Sequence, residues 1–183
     1  MWFALTEEQS MIKKLVREFA ESEVAPGADE RDRTAEFPEE VFGKLGELGL
    51  MGLPFPEQNE GGAADMISFA IVVEELSRVC ASTGITYSAH ISLGGAPLHL
   101  FGTDEQKRNY LTPLCKGEYL GAFGLTEPNA GSDAGGTKTT AVLDGEEWVI
   151  NGSKCFITNA SYAKDLVITA ITDRSKGTNG ISA

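Results

Sequence analysis

The chain has 183 residues, of which 42% are hydrophobic, enough for a substantial core in one large domain or one and a half ordinary ones. Its 27 acidic residues outnumber 15 Lys and Arg residues, and the formal net charge of -12 opposes binding to nucleic acid or to an anionic membrane. No apolar run approaches the roughly 20 residues of a membrane span, and no secretory signal pattern opens the sequence, so we expect a cytoplasmic protein.

Two helices are expected at the start of the chain. Thr6 and Gln9 have the spacing of a capping box, and the apolar residues after them repeat every three and four positions to about Val24. A second helix is expected to begin at Pro38, and Gly49 lies beyond its end. Both patterns are typical of amphipathic helices that cover a core.

Three more helices are expected before residue 118. Asp65 is suited to be the N-cap of a helix whose apolar residues occupy most of its circumference, which indicates burial. The stretch SAHISL continues the bundle, and Thr103 and Gln106 repeat the capping-box spacing before a helix over about 104–116. The first part of the chain is therefore predicted to be all-α.

After Gly117 the sequence changes to short runs rich in β-branched and aromatic residues, which predict strands. Asp-Gly at 144–145 and Asn-Gly at 151–152 are signals for two-residue hairpins between such runs. The expected result is an antiparallel meander with strands at 138–143, 146–150 and 153–158.

The order of helices and then strands predicts two units, a helical domain at 1–117 and a partial β domain at 118–183. The fold class is α+β, and a Rossmann fold is disfavoured because helices and strands do not alternate. The strand-rich part ends without an element that would close its sheet, which suggests a truncated chain.

The segment GLTEPNAGSDAGG at 124–136 carries more small and hydroxyl-bearing residues than a turn requires. It has neither the lysine of a P-loop nor the GxGxxG fingerprint of dinucleotide-binding folds. A strand that ends at Thr126, followed by Pro128, Gly131 and Ser132, would let backbone amides and a hydroxyl approach a phosphate or the edge of a heterocycle. The alternative is an ordinary decorated turn.

A second segment, KCFITNA at 154–160, combines an aromatic ring with a hydroxyl. Phe156 and Thr158 are two residues apart and would share one face of a strand. Such a pair can stack on and hydrogen-bond to an isoalloxazine, but from these residues alone a core Phe beside a surface Thr is the favoured explanation.

The segments FGLTEPNAGSD at 123–133 and NGSKCFITNA at 151–160 together resemble the flavin-binding segments of the acyl-CoA dehydrogenase family. The likeness extends over the whole chain, through LTEEQ, IVVEELSR and FGTDEQKRNYLTPLCKGE. The stretches SAHISL and AITDRSKGTNGISA resemble the bacterial short-chain, butyryl-CoA dehydrogenase-like branch.

The resemblance implies an N-terminal helical domain, an antiparallel β-barrel-like middle domain and a C-terminal four-helix domain that this chain lacks. In the family a carboxylate removes the α-proton of an acyl thioester while the β-hydrogen leaves as hydride to the flavin, giving a trans-2-enoyl-CoA. That base normally lies in the C-terminal domain, so no catalytic residue is assigned within 1–183.

Family positions in the first segment imply contacts to FAD. Thr126 would hydrogen-bond to the pyrimidine edge of the flavin, with backbone contacts from Phe123 and Leu125. Gly131 would allow close approach of the backbone, and Ser132 would reach the pyrophosphate and lie near the CoA arm of the substrate.

In the second segment, Thr158 would lie at the N5/O4 side of the flavin. Phe156 would cover the ring where many relatives have Trp, and Ile157 lies between them. A stripe of apolar residues at helical spacing (Ile85, Ala89 and Leu93) would line the acyl tunnel of the family or, more simply, pack in the core. His90 and His99 lack companions at metal-ligand spacing, so no metal is expected.

The resemblance also implies an acyl-CoA substrate, electron transfer to an electron-transferring flavoprotein, and a homotetramer for the complete protein. The chain alone is expected to be inactive and to hold FAD weakly. The alternatives are an acyl-CoA oxidase or flavin monooxygenase of the same fold, or a non-catalytic helical assembly module.

Overall fold

The computed structural model describes residues 4–183; residues 1–3 of the predicted helical domain lie outside the described residues. Helices occupy the first part of the chain and strands the second, as the predicted fold class requires. The helices are α1 (Glu7–Phe19), α2 (Ala28–Thr34), α3 (Glu39–Glu47), α4 (Met66–Val79), α5 (Ala81–Ala89), α6 (Ala96–Phe101), α7 (Asp104–Gln106) and α8 (Thr112–Lys116). The strands are β1 (Leu120–Gly124), β2 (Thr140–Asp144), β3 (Glu147–Asn151), β4 (Ala163–Ile168), β5 (Ala170–Ile171) and β6 (Ile181–Ser182).

The helix starts follow the local signals. Both capping boxes form, and in the first the Gln9 amide donates to the Thr6 hydroxyl at 3.1 Å while the Thr6 amide donates to Gln9 Oε1 at 3.0 Å. Asp65 caps α4 by accepting from the Ser68 amide at 2.7 Å. Gly49, just beyond α3, has a φ of 70°, as a glycine after a helix end often does.

Helix α2 and three π-helical turns were not predicted. After α1 the chain continues through a π-helical turn at Ala20–Val24 and a 3₁₀ turn at Ala25–Gly27, and then resumes as α2. Pro26, just past the expected helix end near Val24, lies in the first turn of the 3₁₀ segment, where its missing N–H is tolerated. Arg31 donates to the Val24 carbonyl, which ties α2 back to the end of the π turn.

The core lies between α1, α3, α4 and α5. Val16, Leu45 and Leu76 are fully buried, and Tyr87 is fully buried with its hydroxyl donating to the Leu50 carbonyl at 2.9 Å. Helix α4 is more exposed at its start than its apolar sequence predicted, because its first apolar side chain, Met66, is 64% exposed. No helix within the described part of the chain is long and apolar enough to cross a bilayer.

The described strands form a two-stranded parallel sheet and a four-stranded mixed sheet. β1 pairs with β4 in parallel, and a second sheet has the order β3-β2-β5-β6, in which only β2 and β5 are parallel. A hairpin forms at the predicted place, but its two-residue turn is Gly145–Glu146 rather than 144–145, since Asp144 already pairs with Glu147 and Gly145 has a φ of 65°. The expected antiparallel meander is wrong in its third strand, because 153–158 is a loop.

Two features explain why that third strand does not form. A Cβ on Gly152 would lie 2.2 Å from the Thr139 hydroxyl, so this glycine permits a close approach rather than a hairpin turn. Phe156, inside the expected strand, and Asn159, just beyond it, have φ values of 56° and 70°, in the left-handed region that a strand excludes. Phe156 and Thr158 therefore do not share a strand face.

β1 is held against the helices by an unusually close backbone contact. An added Cβ at Gly94, in the π-helical turn His90–Gly95, would lie 2.7 Å from the Gly121 Cα. The Gly121 amide donates to His90 Nδ1 at 3.2 Å, and His90 Nε2 lies 3.1 Å from the Met51 carbonyl, which fits a neutral ring protonated at Nε2. The start of the β region is thus fixed to the helical core.

Candidate functional site

The two segments proposed from the sequence to bind flavin contact each other. The Cys155 amide donates to the Thr126 carbonyl at 2.9 Å, and Asn159 Nδ2 donates to the Gly121 carbonyl at 3.2 Å. Residue 155 contacts residue 126, and residue 159 contacts residue 121. The segment 155–159 therefore runs antiparallel to 121–126. The chain thereby brings the loop after β1 and the loop before β4 to one place.

These loops expose both apolar and polar side chains. Phe156 is 94% exposed and Leu125 is 38% exposed, while Thr158 is exposed and Thr126 is half-buried. The interpretation of Phe156 as a core residue is therefore wrong. A flat aromatic ring in the open beside hydroxyls and free loop backbone is suited to a planar heterocyclic ligand.

The remaining residues predicted to contact the cofactor lie in the same two loops or next to them. Phe123, in β1, and Ile157 are half-buried, and Ser132 is exposed. Glu127 and Ala130 exchange backbone hydrogen bonds of 3.0 and 3.1 Å, which closes a tight turn around Pro128. The residues after the turn, 131–135, are exposed to solvent.

Gly131 stands in open space among the described residues. An added Cβ there would meet no described atom within 4 Å, so the surrounding protein does not require a glycine. The position is compatible with close approach of a bulky ligand such as a diphosphate, for which a bare backbone is favourable.

Beneath these loops lies a buried carboxylate that the sequence reasoning missed. Glu127 is 6% exposed, and it accepts from Lys154 Nζ at 2.9 Å, from the Lys138 amide at 2.7 Å and from the Thr139 amide at 3.0 Å. The Thr137 hydroxyl also donates to it. Burial alone would raise the pKa of Glu127, but these donors outweigh it and hold the pKa far below its usual range.

Lys154 completes this cluster from the second loop. Its side chain is 11% exposed, and its ammonium also donates to the Leu125 carbonyl at 3.1 Å and to the Thr169 hydroxyl at 3.2 Å. The ammonium therefore connects the loop after β1, the start of the 154–160 loop and the link between β4 and β5.

Asn159 is a second anchor that was not anticipated. It is buried, and besides its bond to β1 its Nδ2 donates to the Thr86 carbonyl in α5 at 3.1 Å. Its Oδ1 is buried without a partner among the described residues. The side chain thus fastens the end of the 154–160 loop to both the helices and the sheet.

A charge pattern in the sequence carries a signal for the buried pair. Glu127 is the sole charged residue between 119 and 132, and Lys154 is the sole charged residue between 148 and 163. An isolated charge in a neutral, largely apolar run is a candidate for a buried pair. The pairing itself joins residues 27 positions apart, which local patterns do not show.

The predicted acyl-tunnel residues differ in burial, and Ala89 does not share an exposed surface with the other two. Ala89 is 4% exposed and packs in the core, whereas Ile85 and Leu93 are 57% and 43% exposed. The π-helical turn at His90–Gly95 intervenes and shifts the register of the stripe.

A cavity of about 580 Å³ lies elsewhere, between α6 and β4. Its walls include Phe101, Tyr110, Leu166 and Ile168, and none of the residues predicted to contact the cofactor or the acyl chain line it. The exposed loops are therefore the better candidate site because they combine the donor groups and the aromatic face.

The site residues fit a flavin in chemistry. The loops offer an accessible ring face, two threonine hydroxyls and exposed backbone beside a sterically free glycine. An isoalloxazine needs apolar cover and hydrogen-bond donors along its heteroatom edge, and a diphosphate needs small residues and amides.

Comparison with known proteins covers both parts of the chain. The family model described as acyl-CoA dehydrogenase, N-terminal domain, matches residues 6–118, and the model described as acyl-CoA dehydrogenase, middle domain, matches 122–183. The short-chain specific acyl-CoA dehydrogenase of Clostridium acetobutylicum is 55% identical over 183 residues, which are 100% of this chain and 48% of that protein. The chain thus spans about half the length of the curated relatives it matches.

Solved structures show the same relationship. A chain from the structure of an electron transferring flavoprotein of Acidaminococcus fermentans superposes with a TM-score of 0.97 and 49% identity, over 100% of this chain and 48% of that one. Butyryl-CoA dehydrogenase from Megasphaera elsdenii gives a TM-score of 0.94 and 43% identity, over 99% of this chain and 48% of that one.

Proposed function

The chain belongs to the acyl-CoA dehydrogenase family, and from that premise we propose that the complete protein oxidises a short-chain acyl-CoA to its trans-2-enoyl-CoA. FAD is the cofactor of this family. The observation that carries the proposal is the Cys155–Thr126 hydrogen bond, because it joins two loops that each resemble a flavin-binding segment. An electron-transferring flavoprotein is the proposed electron acceptor, and a homotetramer the proposed assembly.

Each exposed group in the loops has a proposed part in binding. Thr126 donates to the pyrimidine edge of the isoalloxazine, with backbone contacts from Phe123 and Leu125. Thr158 donates at the N5/O4 side, and Phe156 with Ile157 covers the ring. The bound FAD supplies the electron acceptor for the C–H bonds that are oxidised.

Two further contacts concern the diphosphate and the substrate. Gly131 and Ser132 are proposed to receive the pyrophosphate, and the Ser132 hydroxyl to contact the CoA arm. Ile85 and Leu93, both exposed apolar residues, are proposed to form one wall of the acyl site, without the buried Ala89.

The α-proton is not assigned to an acid of this chain. Glu127 lies nearest to the proposed flavin loops in sequence, but four donors occupy its carboxylate and its pKa is strongly lowered. A general base must accept a proton near neutral pH, and this environment favours the ionised form far too strongly. The base is therefore proposed to lie in the part of the family's length that follows this chain.

The test uses the complete protein with butyryl-CoA under anaerobic conditions. We expect the purified protein to contain FAD and to lose its visible flavin absorbance when the thioester is added, with enoyl-CoA detected by mass spectrometry. Absence of bound flavin, or no loss of absorbance with any saturated acyl-CoA, would contradict the proposal and leave the non-catalytic module. Oxygen consumption without an added acceptor would indicate the oxidase or monooxygenase instead.

A further inference from the structure

The buried Glu127–Lys154 pair lies directly under both proposed flavin loops. Glu127 follows Thr126 in the chain, and Lys154 precedes the loop that carries Phe156 and Thr158. Their side chains are 5% and 11% exposed and meet at 2.9 Å. A change in the position of either charged group therefore shifts the backbone of a loop that is proposed to contact the ring.

The pair fixes more of the chain than the two loops. The carboxylate accepts from backbone amides at 138 and 139, at the entrance to β2, and the ammonium donates to the Leu125 carbonyl and the Thr169 hydroxyl. One ion pair thus joins four stretches of chain that are far apart in sequence. A network of buried, mutually hydrogen-bonded charges favours a single local geometry, whereas apolar packing of similar volume tolerates small displacements.

The helical core contains a pair of the same kind that serves as a comparison. Glu75 is fully buried and accepts from Arg17 at 2.9 and 2.8 Å, with Arg78 at 3.3 Å. That cluster joins α1 to α4, and none of its described hydrogen bonds reaches either proposed flavin loop. Its loss would weaken the fold without moving the loops.

We infer that Glu127 and Lys154 are positioning residues, which hold the loops around Thr126 and Thr158 in the arrangement that receives the isoalloxazine. The inference rests on the proposed function, because it assigns a role towards the flavin. The pair itself contacts neither substrate nor reacting atoms in this role. It acts by preorganising the backbone and the hydroxyls that do, so that binding need not order them.

The test measures FAD affinity and thermal stability of the complete protein for four variants: Glu127→Gln, Lys154→Met, the double variant, and Glu75→Gln as the matched control. Each single change at the pair should weaken FAD binding by roughly tenfold or more and shift the visible spectrum of bound flavin. Glu75→Gln should lower the melting temperature but leave FAD affinity within about twofold of the parent.

The double variant separates positioning from general stability. Removal of both charges should recover most of the melting temperature, because no unpaired buried charge remains, while FAD affinity stays low. Recovery of affinity together with the melting temperature would overturn the inference, as would single variants whose FAD affinity is unchanged.

A milder substitution covers the case in which the charge variants do not fold. Thr137→Val removes one hydroxyl that donates to Glu127 and keeps the side-chain shape. It should weaken FAD binding severalfold with an unchanged circular dichroism spectrum, and unchanged affinity would count against the pair. A parent protein that binds no FAD at all would refute the proposed function as well, whereas normal binding by the parent and all variants would refute the positioning role alone.

Discussion

At the scale of single residues, buried polar side chains hold the elements of this chain together. Glu75 joins α1 to α4, His90 joins the helices to β1, and Asn159 joins a loop to both. Buried groups of this kind contribute stability only while all their partners are present, since an unpaired partner retains its desolvation cost. Substitution of such a residue, or a pH change that alters its charge, is therefore expected to lower the free energy of unfolding.

The first prediction concerns Glu75. The hydrogen bond from Arg17 lowers the pKa of Glu75 despite its burial, so its contribution to stability is present above pH 4.5 and is lost as the pH falls. Glu75→Gln should lower the free energy of unfolding by about 2 kcal/mol at neutral pH. This loss is smaller than the one expected for a fully buried ion pair, because the side chains of Arg17 and Arg78 are partly exposed. Urea unfolding at several pH values measures this, and a difference that does not shrink below pH 4.5 would contradict it.

The second prediction concerns His90. Burial lowers the pKa of His90 to about 4, from 6.5, so protonation favours the unfolded chain. Stability is therefore retained above pH 6.5 and lost by roughly 3 kcal/mol as the pH falls from 6.5 to 4.

The matched variant for this test is His90→Gln, which removes the titrating ring. It should be less stable at neutral pH, because the bonds to Met51 and Gly121 are impaired, but the difference from the parent should narrow towards pH 4. Parallel pH profiles for the two proteins would show that His90 does not titrate on unfolding.

At the scale of elements, the contact of β1 with the π-helical turn at His90–Gly95 positions the candidate site. The loop around Thr126 leaves β1 directly, so any displacement of β1 displaces that loop. The backbones approach at Gly94 and Gly121 closely enough that neither can carry a Cβ without movement of the other. Rigid backbone cannot yield as the end of a flexible side chain can.

The third prediction follows from this contact. Gly94→Ala should destabilise the chain by about 1–3 kcal/mol through steric overlap with β1. Gly43→Ala, in α3, is the control because an added Cβ there meets nothing within 4 Å, and it should be neutral or stabilising by up to about 1 kcal/mol. Thermal unfolding of the two variants tests this prediction. Equal melting temperatures would show that the close approach of Gly94 to β1 does not prevent an added Cβ.

Elements with local signals were predictable, and those set by distant contacts were not. Thr6 and Thr103 allowed the helix starts to be predicted, because a capping box is formed within four consecutive residues. The loop at 153–158 was taken for a strand because its composition is strand-like, whereas contact of Gly152 with Thr139 and two left-handed residues decide its path. Parallel pairing of β1 with β4 likewise has no local signature.

The candidate site shows the same division. The loops around Thr126 and Phe156 were found by their resemblance to family segments, and the chain does bring them together. Glu127, Lys154 and Asn159 were missed because each acts through partners remote in sequence. Their contribution becomes apparent only once the backbone of the two loops is known.

At the scale of the whole molecule, burial is unevenly distributed. The helical region contains most of the buried core, whereas every residue of β3 is exposed, including Trp148 at 54% and Ile150 at 50%. The β2–β3 hairpin therefore has little apolar packing to support its hydrogen bonds. Regions of low packing open locally at a small free-energy cost.

The fourth prediction is a gradient of hydrogen exchange along the chain. Amides of α4, which lies in the core, should exchange orders of magnitude more slowly than those of β2 and β3. Exchange measured by mass spectrometry on peptides from 66–79 and 140–151 tests this. Similar protection in the two peptides would mean that the chain opens as a single cooperative unit.

The parallel pairing of β1 with β4 has a consequence for synthesis on the ribosome. Roughly forty residues separate the two strands, so β1 emerges seconds before the partner that completes its sheet. During that interval the helices that carry His90 and Gly94 are already synthesised, and the nascent strand can pack against them. We expect β1, from which the Thr126 loop departs, to dock on this helical surface first and to pair with β4 afterwards.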